Sequence, residues 1–344
     1  MANLYQHNLV FSDFFVVGDY APNCPKLTNR CVGTQCCCAE TLLPEHQIQR
    51  LPRLRVLDPK HRLGPHISLK NNIMDTLTQP GLGRCRCVQF FLGSPRTKVT
   101  RTIHQPEKEQ VCAYCDRYNL SFYVHCPYIA NLAKSEGTVK EITDTTNVIS
   151  SQLGSLAGLP AACVLHIGKV GTLSNVATRI NHLPNLQRGY HARAPRQLLL
   201  ENAAGQGTEL GKTWDELRLL FEAIDTNKVG LCLDTQHLFA SGMCDFVGHE
   251  SIVRMFDAAE AVCPGGLQLI HLNDSDRTFG SRVDRHASLL QGHIWGGNDP
   301  ATGERSDESL RSLMERCHEK GIDTVLETPS QGFDLMLLKE NYGC

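Results

Sequence analysis

No stretch of this sequence is long and apolar enough to be read as a membrane span. FFVV at 14–17 is a short run, and no basic segment precedes it, so no secretory signal is expected. An excess of charge is also missing. Lys and Arg number 34 against 36 Asp and Glu, a net charge of -2. That excludes a blanket basic surface, so a nucleic-acid partner would have to be met by a local groove. Cysteine, by contrast, is plentiful at 16 in 344 residues. Without an export signal, reduced thiols and an intracellular location, nucleus or cytoplasm, are the expectation.

Residues 1–60 stand apart. They hold Cys24, Cys31, Cys36, Cys37 and Cys38, and then the Pro/Arg-rich LPRLRVLDPKHRLGP, without clear periodicity. The spacing C-x6-C-x4-C-C-C matches no metal-binding template. A zinc-stapled appendage or a partner-binding arm is one reading. A poorly ordered extension with free thiols is the preferred one, with a single larger domain over 61–344.

From about residue 62 a rhythm sets in. Eight β-prone runs appear: GPHIS (64–68), CVQFFL (87–92), SFYVHC (121–126), ACVLHI (162–167), QLLLEN (197–202), VGLCLDT (229–235), LQLIHLND (267–274) and DTVLET (323–328). Helical segments are expected between them at 106–118, 140–156, 172–183, 213–224, 249–262 and 306–320. TWDEL at 213–217 is a helix start, with Thr213 as cap and Glu216 three residues on. Strand–helix alternation on this scale predicts an α/β fold, a (β/α)8 TIM barrel with an N-terminal extension.

In such a barrel the carboxyl ends of the strands form the active face. Here His125, His166, Glu201, Asp234, His271 and Glu327 each end a different β-prone run. His237 follows Asp234 by three residues. The stretch HLNDSDRTFGSRVDRHASLLQG gathers His271, Asp274, Asp284 and His286, and the i, i+2 spacing lets Asp284 and His286 face the same way from an extended segment. One buried histidine is more often a hydrogen-bonded core group than a ligand. Glu201 and Glu327, each behind an apolar run, resist that explanation, because a buried carboxylate without a cation or donors is costly. Histidine nitrogen with carboxylate oxygen is the donor set of zinc and similar ions, so a polynuclear metal site is expected.

HLNDSDRTFGSRVDRH, GLCLDTQHLFASG, ENAAGQGTELG and VLET closely resemble motifs of the endonuclease IV family of apurinic/apyrimidinic endonucleases. The resemblance runs from about Gly64 to about Leu338. It implies three zinc ions: one held by His125, His166 and Glu201; a second by Glu201, Asp234, His271 and Glu327; a third by His237, Asp284 and His286. It implies catalytic roles for Glu201, Asp234 and Glu327, and DNA-probing side chains at Arg96, Tyr128 and Ile129. The implied activity is hydrolysis 5′ to an abasic site in double-stranded DNA, leaving a 3′-hydroxyl and a 5′ deoxyribose phosphate, with 3′-end trimming as a further activity of such enzymes, acting as a monomer. The chain departs from the family's pattern at Ile167 and Lys169, Gln236, Asp276, Leu290 and Trp295, and in an apparent insertion at 296–308. None of these is a mapped ligand, so altered DNA contacts are expected rather than lost activity.

Two other readings compete. A sugar isomerase-like barrel would place Glu, Asp and His at the same strand ends, but would use two metals; the third group, His237 with Asp284 and His286, argues against it. A non-catalytic DNA-damage binder would keep zinc for structure. Structural zinc has four protein ligands and no open position, whereas the mapped three-ligand sites leave room for water.

Overall fold

The computed structural model describes residues 61–79, 81–82, 85–134, 139–295 and 307–342. The cysteine-rich segment before residue 60 and residues 296–306 of the expected insertion lie outside these. The strands are β1 (Leu63–Pro65), β2 (Cys87–Phe91), β3 (Ser121–His125), β4 (Ala161–His166), β5 (Arg188–His191), β6 (Ala194–Arg196), β7 (Leu198–Glu201), β8 (Val229–Asp234), β9 (Leu267–Leu272), β10 (Asp274–Ser275), β11 (His286–Ala287) and β12 (Asp323–Leu326). The helices are α1 (Ile73–Leu77), α2 (Gln105–Tyr118), α3 (Val139–Leu156), α4 (Leu173–Asn181), α5 (Trp214–Glu222), α6 (Thr235–Ser241), α7 (Gly248–Val262), α8 (Glu308–Lys320) and α9 (Gln331–Tyr342).

Eight of these strands form one parallel sheet in the order β1-β12-β9-β8-β7-β4-β3-β2. The two ends meet through a parallel bridge between His66 and Gln89, where the Ile67 N–H donates to the Gln89 carbonyl at 2.7 Å. Gly64 makes that approach feasible, since a Cβ there would lie 1.6 Å from the Cys87 carbonyl oxygen. The result is the expected near-closed (β/α)8 barrel. Two elements fall outside the expected alternation: the β5–β6 hairpin, and the short β10–β11 ribbon that pairs Ser275 with His286.

Successive side chains of a strand point to opposite faces, and the core obeys this parity. Cys87, Tyr123, Ala162, Val164, Leu199, Cys232, Leu269 and Val325 form a cluster of their own inside the barrel. The alternate residues, among them Val88, Phe122, Leu165, Leu200, Leu231 and Ile270, belong to the larger core that also takes in helix residues. The interior is therefore packed, and the next inward positions toward the carboxyl ends are Gln89, His125, His166, Glu201, Asp234, His271 and Glu327, each two residues beyond an inward core residue. At the opposite end, buried Asp323 is held by Arg62, Ser121 and Tyr123. Among the described residues no helix is long and apolar enough to cross a membrane.

Candidate metal centre

Strand register sets the site. Glu201 lies beside His166 on β4 and beside Cys232 on β8, and Asp234 lies beside His271 on β9. Among the described residues, three groups of side chains offer ligand atoms that all lie within 4.8 Å of one another: His125, His166 and Glu201; Glu201, Asp234, His271 and Glu327; and Asp234, His237 and His286. Glu201 is common to the first two and Asp234 to the last two, so the three groups form one connected centre.

Eight of the nine sequence-predicted ligands fall in these groups. The ninth, Asp284, stands at the edge, with Oδ1 3.4 Å from His286 Nε2 and Oδ2 3.6 Å from His237 Nε2. Asp274, grouped with the others by its motif, turns away. Its carboxylate accepts from the backbone N–H groups of Ser275, Gly292 and Ile294 and organises that loop.

Helix α6 explains His237. Asp234 is its N-cap, and Oδ1 accepts from the His237 N–H at 2.9 Å. Asp234 Oδ2 accepts from Asn273 Nδ2 at 2.7 Å, while Asn273 Oδ1 accepts from the Glu327 N–H at 3.1 Å. Asn273 thus ties β8 to β12. Trp295, at a position where the family often has glycine, is fully buried and donates Nε1–H to the Asn273 carbonyl at 2.9 Å. Leu290, at the other such position, keeps a left-handed backbone with φ 63°.

Four imidazoles each turn one ring nitrogen outward to a protein acceptor. His125 Nδ1 donates to the Cys126 carbonyl at 2.8 Å, His237 Nδ1 to the Asn202 carbonyl at 2.9 Å, and His286 Nδ1 to the Glu327 carbonyl at 3.3 Å. His271 Nε2 donates to Gln89 Oε1 at 2.9 Å. Such outward bonds fix the tautomer and leave the other nitrogen's lone pair facing inward, as in histidines that ligate metals. The inward atoms then confront oxygens. His125 Nε2 and His166 Nε2 lie 3.3 and 3.1 Å from Glu201 Oε2, and His271 Nδ1 lies 3.0 Å from Glu201 Oε1 and 3.2 Å from Glu327 Oε2.

Electrostatics carries the same message. Burial alone would raise the Glu201 carboxyl, but the His166 and His271 charges and the nearness of the His125 ring hold it well below the usual range. Burial would lower His286, but Asp284 and Asp234 push it up to about 9. His237, beside Asp234 and Asp284, and His271, beside Cys232, Glu327 and Glu201, are likewise driven well above an ordinary imidazole, against their burial. Without a cation these imidazoles draw protons, and a divalent ion held among the inward nitrogens would supply that positive charge instead. Buried Glu201 Oε2 and His286 Nε2 have no hydrogen-bond partner, which is costly in an interior without a cation. Orphaned inward atoms and a nitrogen–oxygen donor set fit metal ions.

Of the expected DNA-probing residues, Tyr128 borders this centre. Tyr128, 58% exposed, packs edge-on to Phe91 and His125 and at a tilt to His166, and its N–H donates to the Pro95 carbonyl, beside exposed Arg96. Ile129 is exposed next to it. Two residues at the centre went unread in the sequence. His66 Nδ1 lies 2.8 Å from Glu327 Oε1, and Gln89 Nε2 donates to the same oxygen at 2.6 Å. Only strand parity, which puts Gln89 in line with the ligands, could have flagged them.

A parallel barrel with three linked His/carboxylate groups at its carboxyl rim defines a metal-dependent hydrolase of the xylose isomerase-like TIM-barrel class, and the model of that family matches residues 82–298. The probable endonuclease 4 of Streptomyces avermitilis is 34% identical over 251 residues, covering 70% of this chain and 76% of that one. The crystal structure of endonuclease IV from Thermus thermophilus superposes with a TM-score of 0.65 at 28% identity, covering 81% of this chain and 97% of that one. The chain belongs to the endonuclease IV family, and its three clusters match the trinuclear metal site of those enzymes. A D-tagatose 3-epimerase-like protein shares the fold alone, with a TM-score of 0.55 at 16% identity, covering 81% of this chain and 96% of that one.

Proposed function

We infer that this protein hydrolyses the backbone of abasic double-stranded DNA, cutting 5′ to the lesion to leave a 3′-hydroxyl and a 5′ deoxyribose phosphate. One observation carries the reading: three ligand groups linked by Glu201 and Asp234, with inward atoms left unsatisfied by the protein. Zinc suits the donors. His125, His166 and Glu201 would hold one ion, Glu201, Asp234, His271 and Glu327 a second, and His237, His286 and Asp234 a third with Asp284 beside it. Ions held there supply activation of water near neutral pH and neutralisation of charge on a phosphate.

The chain's own residues do the rest. Glu201 and Asp234, each shared between groups, keep the clusters in fixed register. Arg96, Tyr128 and Ile129, on loops after β2 and β3, enter the duplex where a base is missing. A nucleotide without its base has lost stacking and pairing, so turning it outward is cheap, and no base needs to be read. Exposed Lys169, Arg282 and Arg285, on loops beyond the same strand ends, supply local positive charge for the phosphates although the chain as a whole carries -2. One chain completes all three groups, so the site needs no partner chain; the reading is of a monomer acting in an intracellular compartment that holds DNA. The test is a duplex oligonucleotide with a single abasic analogue. Incision 5′ to the lesion, abolished by chelator and absent on undamaged duplex, is expected. Equal cutting of undamaged duplex, or cutting indifferent to chelator, refutes the reading.

A further inference from the structure

Gln89 is fully buried in the middle of β2, a strand that contributes no ligand. Its amide spans two members of the second metal group: Oε1 accepts from His271 Nε2 at 2.9 Å and Nε2 donates to Glu327 Oε1 at 2.6 Å. The orientation is forced. Turned the other way, the amide oxygen would face a carboxylate oxygen at that short distance. With the amide nitrogen on Glu327, the amide oxygen faces His271, and the facing ring nitrogen must carry the proton. His271 Nδ1 is then the nitrogen left to take an ion, and it lies 3.0 Å from Glu201 Oε1 and 3.2 Å from Glu327 Oε2. His66 adds a second hold on Glu327. Its Nδ1 is 2.8 Å from the same Oε1 and 3.0 Å from Gln89 Nε2, so it holds Glu327 in the tautomer that carries the proton on Nδ1, and its ring packs on Phe91. Glu327 Oε1 is thereby committed to the scaffold and Oε2 is left for the centre.

We propose that Gln89, assisted by His66, is the positioning residue of the second metal group, fixing the His271 tautomer and presenting Glu327 through Oε2 alone. This rests on the metal-centre reading above, and it assigns to β1 and β2 a role in a site to which they give no ligand. Their closure of the barrel, at the His66–Gln89 bridge, and the assembly of the second group then become one event.

The test uses the full chain and zinc alone as probe. Gln89→Met keeps the buried volume and removes both hydrogen bonds. Gln89→Glu keeps an acceptor for His271 but sets a carboxylate against Glu327. His66→Phe keeps the ring packing and removes one hold on Glu327. Bound zinc is counted by emission spectroscopy after dialysis against a graded chelator series, and ring protons are located by nitrogen–proton correlation spectra of histidine-labelled protein. The parent should hold three ions. Gln89→Met should lose one of them at about 10–100-fold lower chelator, together with the His271 Nε2–H signal. Gln89→Glu should lose the ion but keep the signal, a split that a purely structural role would not produce. His66→Phe should move the zinc curve the same way by less. A parent that never holds three ions overturns both this and the metal-centre reading. A parent with three, and Gln89→Met and His66→Phe with the parent's chelator curve, overturns the positioning role alone. Should Gln89→Met fail to fold, the His66→Phe curve decides.

Discussion

Asp234 divides its two oxygens between structure and site, because Oδ1 caps helix α6 at the His237 N–H while Oδ2 faces the centre beside Asn273. The division separates two effects that a single truncation would merge. Asparagine caps a helix about as well as aspartate, but it brings no negative charge. Asp234→Asn should keep helix α6 and lose metal from the second and third groups, and with it at least about a hundredfold of incision rate, the upper range for disturbing a metal site's support. Asp234→Ala should lose the same metal and in addition about 1 kcal/mol of stability from the missing cap. Zinc counts and denaturant melts of chelator-treated protein distinguish the two. Equal stability of the metal-free variants would mean the cap contributes nothing.

Glu201 is the most exacting position. It is 1% exposed, sits among four imidazoles, and has an oxygen without a hydrogen-bond partner. Glu201→Gln removes the charge shared by two groups and leaves the shape. Abolished incision and fewer than three zinc ions are expected from a chain whose far-ultraviolet circular dichroism is unchanged. Near-normal turnover would remove Glu201 from the mechanism.

Chelation should act on the fold as well as on activity. Anything that binds the native state alone stabilises it by mass action. Removing the ions leaves Glu201, Asp234 and Glu327 facing one another with only imidazole protons for compensation. A lower melting temperature after chelator, restored by zinc together with incision, is the expected result. Restored activity without a restored melting temperature would place the needed metal elsewhere.

Much of this is legible in the sequence alone, for a physical reason. Barrel strands are buried on both faces, so they read as apolar runs, and ionisable groups at their ends stand out against that background. His125, His166, Glu201, Asp234, His271 and Glu327 are visible for this reason. Helix α6 is hidden because 229–235 reads as strand and the helix has only seven residues. The β5–β6 hairpin is hidden because RGYHARAPR has no β-branched residue and is interrupted by Gly189 and Pro195, which are rare in strands. His66 and Gln89 escape notice because their partners lie 261 and 238 residues away at Glu327, and an uncharged amide in an apolar run signals nothing by itself. Asp274 is readable as polar and motif-borne, but not as a loop brace, since its partners are backbone amides that every sequence has.

Arg96 and Tyr128 sit on adjacent loops joined by the Tyr128 N–H to Pro95 carbonyl bond at 2.9 Å. Stacking of an aromatic ring on a base contributes about 1–3 kcal/mol by alanine substitution. Tyr128→Ala should therefore weaken binding to abasic duplex by about 5- to 150-fold, and Arg96→Ala should also weaken it, with three zinc ions retained in both. Fluorescence anisotropy on labelled duplex, paired with zinc analysis, measures the separation. Parallel loss of zinc and binding would make these residues supports of the metal centre instead.

The last prediction concerns a carboxyl that the reaction does not use. Asp334 on α9 is fully buried; it accepts from Thr328 Oγ1, while its other oxygen has no hydrogen-bond partner. Burial pushes its carboxyl up to about 7, with Asp274 adding in the same direction and the Thr328 and Leu289 hydrogen bonds opposing. An unfolded aspartate titrates at about 3.9, so between the two values the native state binds the additional proton. The stabilisation is complete below the unfolded value and is lost as pH rises through about 7. Asp334→Asn cannot ionise and should be free of that loss. Its melting temperature relative to the parent, at fixed zinc, should rise between pH 5 and pH 8. A difference that stays flat over this range would mean that Asp334 enters the native state already ionised and is held there by groups other than Thr328.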